Sequence, residues 1–175
     1  MTTTISQTTL YTTFDSPIGE LLATGDGEAL TGIYMQGSRK PVTPGACWER
    51  DDEPFAELRG QLHEYFTGDR CEFDLPLAPR GSEFQGRVWG ALREIPYGET
   101  ETNGELAERI GRPGSARAVG AANGQNPICV VIPCHRVIGA SGKLTGYAGG
   151  LERKRLLLDI ESRLARLNPR SPSAR

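Results

Sequence analysis

The first part of the chain contains short strand-like runs, rich in apolar residues, that are separated by turn residues. Strand-like runs cover residues 10–14, 20–23 and 30–34, with turn segments at 16–19 (Ser-Pro-Ile-Gly) and 25–27 (Gly-Asp-Gly) between them. The pattern predicts a three-stranded antiparallel meander.

One helical pattern follows in the N-terminal half. Residues 36–53 are rich in Gly, Pro and charge and predict an irregular connection. After them, apolar residues recur at spacings of three and four, and Gly68 provides a stop. The apolar positions of this helix are Phe55, Leu58, Leu62 and Tyr65. Alternation over residues 73–77 predicts a short edge strand.

Three further helices are predicted beyond residue 80, where composition and charge both change. Capping-box patterns at Ser82 and Thr102, each with Gln or Glu three residues later, open the first two helices. After a tight turn at 111–114, Ser115 is placed to cap a third helix that runs to about residue 125. Two short helices joined by a Gly-containing turn are typical of a helix-turn-helix.

The third of these helices has unusually small side chains, and Arg117 is its only long charged residue. Small side chains allow close approach either to a packed neighbour or to a DNA groove. The sequence pattern does not decide between these two interpretations, but Arg117 favours DNA. The small residues are Ala116, Ala118, Gly120, Ala121, Ala122 and Gly124.

The last part of the chain contains a wholly apolar run, a Gly-rich loop and a final helix. Residues 128–132 predict a buried strand or an extended core segment that leads to Pro133-Cys134-His135-Arg136. After the loop, a helix beginning near Leu151 has an apolar stripe, and the tail 168–175 is predicted to be disordered. The stripe consists of Leu157, Ile160, Leu164 and Leu167.

The composition indicates a soluble globular protein. Of 175 residues, 37% are hydrophobic and 24% charged, and no run of apolar residues is long enough to span a membrane. The first residues have neither a basic segment nor an apolar core, so we expect a cytoplasmic protein without a signal peptide. Four separated cysteines and two histidines predict neither a disulfide framework nor a metal site, and no cofactor is expected.

The net charge of −2 conceals an asymmetry. Residues 1–79 carry 5 Lys/Arg and 13 Asp/Glu, a net charge of −8, whereas residues 80–175 carry 15 and 9, a net charge of +6. A chance distribution of solvated charge is the plain interpretation. The alternative is that the C-terminal half binds a polyanion.

Cys134 is the candidate nucleophile, because a histidine follows it directly at the end of a rigid apolar segment. A thiol of ordinary pKa is only slightly ionised at neutral pH and needs activation. His135 could accept the thiol proton directly or through a water, and a carboxylate could orient the imidazole. Adjacent Cys and His residues also occur as structural pairs. Cys129, inside the apolar run, is predicted to be core, and Cys47 and Cys71 have no partner in sequence.

Several segments together resemble the O6-alkylguanine-DNA alkyltransferases, also called methylated-DNA–protein-cysteine methyltransferases. The most specific is 126–137, with its Pro-Cys-His-Arg-Val core, and the Gly-Tyr-x-Gly-Gly pattern at 146–150 precedes Lys154. The resemblance extends over about residues 82–161, and 10–22 resemble the family's more variable N-terminal domain. Further matching segments are 84–89, 95–99 and 116–120.

The resemblance implies stoichiometric DNA repair. Cys134 would accept the alkyl group from guanine O6, or from thymine O4, and the protein would thereby inactivate itself. His135 and Glu161 match the family's network from carboxylate to histidine to thiol. The implied partner is double-stranded DNA with alkylated guanine; no membrane association and no obligate protein partner are expected.

The resemblance also assigns roles to other residues. The family inserts the recognition helix into the minor groove and flips the target nucleotide into a pocket; Arg117 matches the arginine that fills the vacated stack. Tyr147 and the backbone around Val137 match the base pocket, and Asn126 and Arg136 match structural positions. Further DNA-contacting positions are Thr102, Ala116, Gly120 and Asn123.

Two positions depart from the family pattern. Asn103 stands where the family usually has a tyrosine that crowds the target phosphate and donates a hydrogen bond to the base. Because Asn103 is shorter and not aromatic, we expect weaker flipping with the thiol chemistry retained. Ala148 replaces a serine found in some members, so only its backbone N–H is available to assist the leaving oxygen.

The predicted fold class is α+β. We expect an N-terminal domain (1–79) with an antiparallel β-sheet and one helix, and a mostly helical, winged helix-turn-helix-like domain (80–167). Three other functions are weaker. A damage sensor on the same scaffold would lack the reactive cysteine, a Cys-His-Glu hydrolase would turn over repeatedly, and a helix-turn-helix regulator leaves Pro-Cys-His-Arg unexplained.

Overall fold

The computed structural model describes residues 8–167 and has the predicted α+β class. The meander is present, with antiparallel pairing of β1 to β2 and of β2 to β3. A fourth strand, β4, pairs in parallel with β1, so the order in the sheet is β3-β2-β1-β4. The strands are β1 (Leu10–Phe14), β2 (Leu21–Gly25), β3 (Leu30–Met35) and β4 (Glu49–Arg50).

Two predictions for the N-terminal sheet were wrong. β4 lies within the segment predicted to be irregular; its two residues are charged and exposed, so no hydrophobic alternation indicates it. Residues 73–77 form no strand and contribute only a bridge from Leu77 to Leu30. Pro76 accepts a hydrogen bond from Leu30 N but has no N–H to donate, which limits further pairing.

Helix α1 (Ala56–Thr67) follows a 3₁₀ turn at Glu53–Phe55 and packs the predicted apolar face against the sheet. Its buried apolar side chains include Leu58, Leu62 and Tyr65. Gly68 ends it as predicted, with a left-handed φ of 89° and an N–H that bonds back to the last turn.

The helices of the C-terminal half are α2 (Glu83–Leu92), α3 (Asn103–Arg109), α4 (Ala116–Gly124) and α5 (Leu151–Leu167). Both predicted capping boxes are formed, at Ser82 and at Thr102. Ser115, however, makes no side-chain cap, because its backbone is not extended as an N-cap requires. Leu167 was predicted to belong to the apolar stripe of α5. This was wrong, because the residue is 73% exposed at the helix end. Among residues 8–167 no helix is long and apolar enough to cross a bilayer.

The apolar segment 128–132 joins the two halves of the molecule. It is buried, but it is neither a strand nor the extended segment that was predicted. Its first residues run beside β3, where Ile33 N donates to Pro127 O (2.8 Å) and Cys129 N donates to Ile33 O (3.3 Å). The chain then turns back at residues 130–131, so that Ile132 N donates to Ile128 O (3.0 Å). Beyond it, β6 (Val137–Ile138) pairs in parallel with β5 (Glu101–Thr102). One core therefore continues across both halves. The predicted tail 168–175 lies outside the described residues.

Candidate active site

Cys134 lies at the start of a 3₁₀ turn, Cys134–Arg136, that ends the buried segment. Its N–H donates to Ile132 O (2.8 Å), and only 7% of the residue is exposed. Val130, four residues earlier, has a φ of 71°, a left-handed conformation that is unfavourable for a β-branched residue. The chain therefore makes a strained turn between Cys129 and Cys134. The Cys134 thiol borders a cavity of about 420 Å³.

The surroundings of Cys134 favour its thiolate. A hydrogen bond from the Cys129 thiol lowers the pKa of Cys134, and burial opposes this effect. The Asn126 amide and the positive charge of Lys154 lower that pKa further. Hydrogen bonds and positive charge stabilise a thiolate relative to the neutral thiol.

Cys129 belongs to this site, which the sequence pattern did not indicate. Its thiol is buried as predicted, but it also borders the same cavity as Cys134. The hydrogen bond to Cys134 and burial raise the pKa of Cys129, so of the two thiols it is the one that keeps its proton. Cys129 therefore acts as a hydrogen-bond donor to the candidate nucleophile.

Replacing Cys129 with alanine is expected to raise the pKa of Cys134 and slow its alkylation by iodoacetamide about fivefold at neutral pH, the effect of one hydrogen bond. The measurement is the pH dependence of alkylation, followed on the peptide that contains Cys134. Cys129→Ser is the matched control, because its hydroxyl still donates to the sulfur. Equal pH profiles for Cys129→Ala and wild type would contradict the assignment.

His135 lies in the 3₁₀ turn Cys134–Arg136, called here the thiol turn, and forms a buried pair with Glu161 on α5. The imidazole Nε2 lies 2.7 Å from Glu161 Oε1, and both side chains are 0% exposed. Among the described residues the other ring nitrogen, Nδ1, is buried without a hydrogen-bond partner. Since Glu161 fixes the ring through Nε2, Nδ1 is the atom left to accept a proton.

Glu161 is held as an anion although it is buried. Burial alone would raise the pKa of its carboxyl, but hydrogen bonds from His135 and Arg136 and the positive charge of Arg136 lower it well below its usual range. Arg136 donates from Nε to Oε2 and from Nη2 to Oε1, both at 2.9 Å. The same guanidinium donates to Ile95 O (2.7 Å) and lies over the Tyr97 ring. Arg136 thus ties the thiol turn to α5 and to the loop after α2.

The cavity brings together most residues that the resemblance assigned to substrate and DNA. They are Asn103, Gly120, Asn123, Val137, Tyr147 and Ala148, and Asn126, which was assigned a structural position, also lines the cavity. Asn126 supports the turn, donating to Ile132 O (2.8 Å) and accepting from Ile128 N (3.0 Å). The buried Lys154 donates to Val137 O (2.5 Å) and Thr145 O (2.8 Å), so α5 holds the Gly-rich loop against the cavity.

Two lining residues come from the segment predicted to be irregular. Arg39 and Lys40 border the cavity although they belong to the acidic half of the chain. They are the only two basic residues next to each other in the acidic half, residues 1–79. This is the one sequence signal that could have identified them. They add positive charge to a site otherwise built by the C-terminal half.

Helix α4 presents three of its six small residues to solvent. Val119 and Ala122 are buried, and Ala122 O accepts a hydrogen bond from the Trp89 indole (2.9 Å). The exposed residues of the helix are Arg117, Ala118, Ala121 and Gly124. Of the two interpretations left open by the sequence, tight packing inside a domain does not describe this exposed face.

The remaining predicted positions lie at the beginnings of α3 and α4. Thr102 caps α3, accepting from Glu105 N (3.2 Å), and Ala116 begins α4 half-buried. Asn103 lies against Gly120: a Cβ at position 120 would meet Asn103 Nδ2 at 3.2 Å. Among residues 8–167, Asn103 Oδ1 has no hydrogen-bond partner, although the atom is buried.

An activated thiol, a buried His–Glu pair and a helix-turn-helix beside one cavity define a DNA-binding protein with a reactive cysteine. Family comparisons make this specific. The model of the "6-O-methylguanine DNA methyltransferase, DNA binding domain" matches residues 83–163, and that of the "ribonuclease-like domain" of the same family matches residues 9–79. The chain belongs to the 6-O-methylguanine DNA methyltransferase family, which confirms the resemblance found in the sequence.

Curated relatives and solved structures agree. A methylated-DNA–protein-cysteine methyltransferase from Methanosarcina acetivorans is 53% identical over 152 residues, covering 86% of this chain and 97% of the relative. One from Mycolicibacterium paratuberculosis is 56% identical over 154 residues, covering 87% and 92%. The structure of Mycobacterium tuberculosis OGT in complex with DNA has a TM-score of 0.83 and 53% identity, covering 89% of this chain and 94% of that one.

Proposed function

We propose that this protein repairs DNA by direct reversal, transferring the alkyl group of O6-alkylguanine to Cys134. The observation that carries the proposal is the Cys134 thiol, whose pKa is lowered, at the border of a cavity next to an exposed small-residue helix. Family membership and the relatives' activity support it. We expect O4-alkylthymine in DNA to react in the same way.

The reaction is a single displacement at the alkyl carbon. His135 takes the thiol proton at Nδ1, directly or through a water, while Glu161 holds the imidazole through Nε2. The thiolate sulfur forms a bond to the alkyl carbon, the carbon–O6 bond breaks, and its electron pair stays on the base. Guanine regains a proton at N1 and leaves. The product thioether has no easy hydrolysis route, so one molecule repairs one lesion.

DNA binds along α4, which lies next to the cavity. The exposed small residues let the helix approach the minor groove, and the target nucleotide must rotate out of the stack because guanine O6 lies within it. Arg117 occupies the vacated place. The flipped base lies in the cavity between Tyr147 and the Val137 backbone, with the Ala148 N–H assisting the leaving oxygen.

The decisive experiment is intact-mass measurement after mixing with duplex DNA that carries O6-methylguanine. We expect a gain of one methyl group per protein, mapped to the Cys134 peptide and absent in Cys134→Ser. Binding without a mass gain would indicate a damage sensor, repeated turnover would indicate a hydrolase, and equal affinity for undamaged DNA without modification would indicate a regulator.

Asn103→Tyr is expected to raise the rate of transfer on duplex DNA severalfold, because an aromatic side chain crowds the target phosphate more strongly than the amide does. Single-turnover transfer on duplex and single-stranded oligonucleotides measures the effect. Single-stranded DNA is the control, since its bases need less unstacking. An unchanged rate on duplex DNA would contradict a role for position 103 in flipping.

Three further expectations complete the proposal. Residues 1–79 and 80–167 are two structural units, the first supporting the site and the second carrying the chemistry and the DNA contacts. The partner is double-stranded DNA containing alkylated guanine. The place of action is the cytoplasm.

A further inference from the structure

The Glu161 carboxylate has a hydrogen-bond donor that comes from the N-terminal half of the chain. Tyr65, on α1, donates from its hydroxyl to Glu161 Oε1 at 2.7 Å. This is the same oxygen that lies 2.7 Å from His135 Nε2. Tyr65 is 0% exposed, and burial together with the negative charge of Glu161 raises its pKa well above the ordinary value. The hydroxyl therefore stays protonated and acts only as a donor to the carboxylate.

We propose that Tyr65 is a positioning residue of the transfer reaction, whose hydroxyl fixes the Glu161 oxygen that holds His135. Tyr65 does not touch the thiol or the cavity; it acts through Glu161 alone. This inference rests on the proposed function for its effect on alkyl transfer. It also gives the acidic N-terminal half an indirect part in the chemistry, through Glu161.

The surroundings of Tyr65 fix the direction of its hydroxyl. Its ring packs edge-on against Phe66 at 5.1 Å and Tyr97 at 6.0 Å between centroids, and tilted against Phe73 at 5.3 Å. A ring enclosed on several sides cannot swing away, so its hydroxyl stays on Glu161. A donor fixed in this way reduces the negative charge that Oε1 offers to the imidazole.

Removing this hydroxyl should change the pH dependence of alkyl transfer in a definite direction. In Tyr65→Phe, Oε1 keeps His135 and Arg136 but loses one donor, so the carboxylate attracts a proton on the imidazole more strongly. Less neutral His135 is then available to accept the thiol proton at neutral pH. We expect transfer near pH 7 to slow about tenfold and the acidic limb of the pH–rate profile to move to higher pH, with DNA affinity unchanged.

Tyr97→Phe is the matched control. Tyr97 belongs to the same aromatic cluster and is also buried, but among residues 8–167 its hydroxyl has no hydrogen-bond partner. Both variants delete one buried hydroxyl and keep the ring. Only Tyr65→Phe removes a donor from Glu161, so only this variant should move the pH profile. A purely structural role would lower the rate equally at every pH.

A second measurement needs no DNA. The chain has two histidines, His135 and the exposed His63, so their ring resonances can be followed separately in a pH titration by NMR. Tyr65→Phe should move the His135 titration to higher pH and leave His63 unchanged. Since this readout does not depend on transfer, it tests the link even if wild type fails to take up the methyl group, which would overturn only the proposed function. If Tyr65→Phe matches Tyr97→Phe in both measurements, the inference is wrong.

Discussion

Glu161→Gln is expected to lower the free energy of unfolding by about 3–5 kcal/mol, because it leaves the Arg136 guanidinium buried without its counter-charge. The carboxylate accepts two hydrogen bonds from Arg136, and both groups are buried. A glutamine of the same shape presents an amide N–H₂ to one of these donors. The same change should slow alkyl transfer about a hundredfold, since His135 loses the group that orients it as a base.

The loss of stability should depend on pH with a definite sign. The pKa of Glu161 is lowered in the folded protein, whereas an unfolded glutamate titrates near about 4.3. The stabilisation from the ionised carboxyl is therefore fully present above about pH 4.3 and is lost as pH falls through the lower folded value. The difference between wild type and Glu161→Gln should be largest near neutral pH and shrink below about pH 4.

Denaturant unfolding at several pH values measures this difference, with single-turnover transfer measured on the same preparations. Asp159→Asn is the matched control, because it neutralises an exposed carboxylate two residues away on α5. Surface changes of this kind are usually worth less than about 0.5 kcal/mol. If the two variants unfold alike at neutral pH, Glu161 does not hold the buried charge network.

The local parts of the site could be predicted from sequence because they are encoded within a few residues. The capping boxes at Ser82 and Thr102 each need only a four-residue pattern, and both are formed. The Pro-Cys-His-Arg segment likewise carries its own signature. The family, the fold class and the repair activity followed from such segments.

Other parts could not be predicted because they depend on contacts between distant segments. Tyr65 has the sequence signature of a core residue, and nothing in the helical period shows that its hydroxyl meets a carboxylate 96 positions away. Cys129 was assigned to the core for the same reason. Its approach to Cys134 follows from the left-handed Val130, a conformation that β-branched residues rarely adopt and that no pattern of apolar residues indicates.

Arg117→Ala is expected to slow transfer on duplex DNA about 30-fold while leaving the thiol chemistry intact. Arg117 is exposed on α4, among small residues that allow the helix to lie close to DNA. Extruding a nucleotide costs a few kcal/mol of stacking and pairing. If the arginine offsets about 2 kcal/mol of that cost by filling the gap, its removal lowers the rate by about the stated factor.

The effect should disappear where no stack has to be opened. On a single-stranded oligonucleotide with the same lesion, Arg117→Ala should approach the wild-type rate, and its Cys134 should react with iodoacetamide as in wild type. Arg155→Ala, which removes one exposed positive charge from α5, controls for the loss of general attraction to phosphate. Equal losses in the two variants, or equal losses on duplex and single strands, would mean that Arg117 contributes charge alone. A loss confined to duplex DNA and to Arg117 would instead place the energetic barrier at base extrusion, because the nucleophile and its His–Glu pair are the same in every arm.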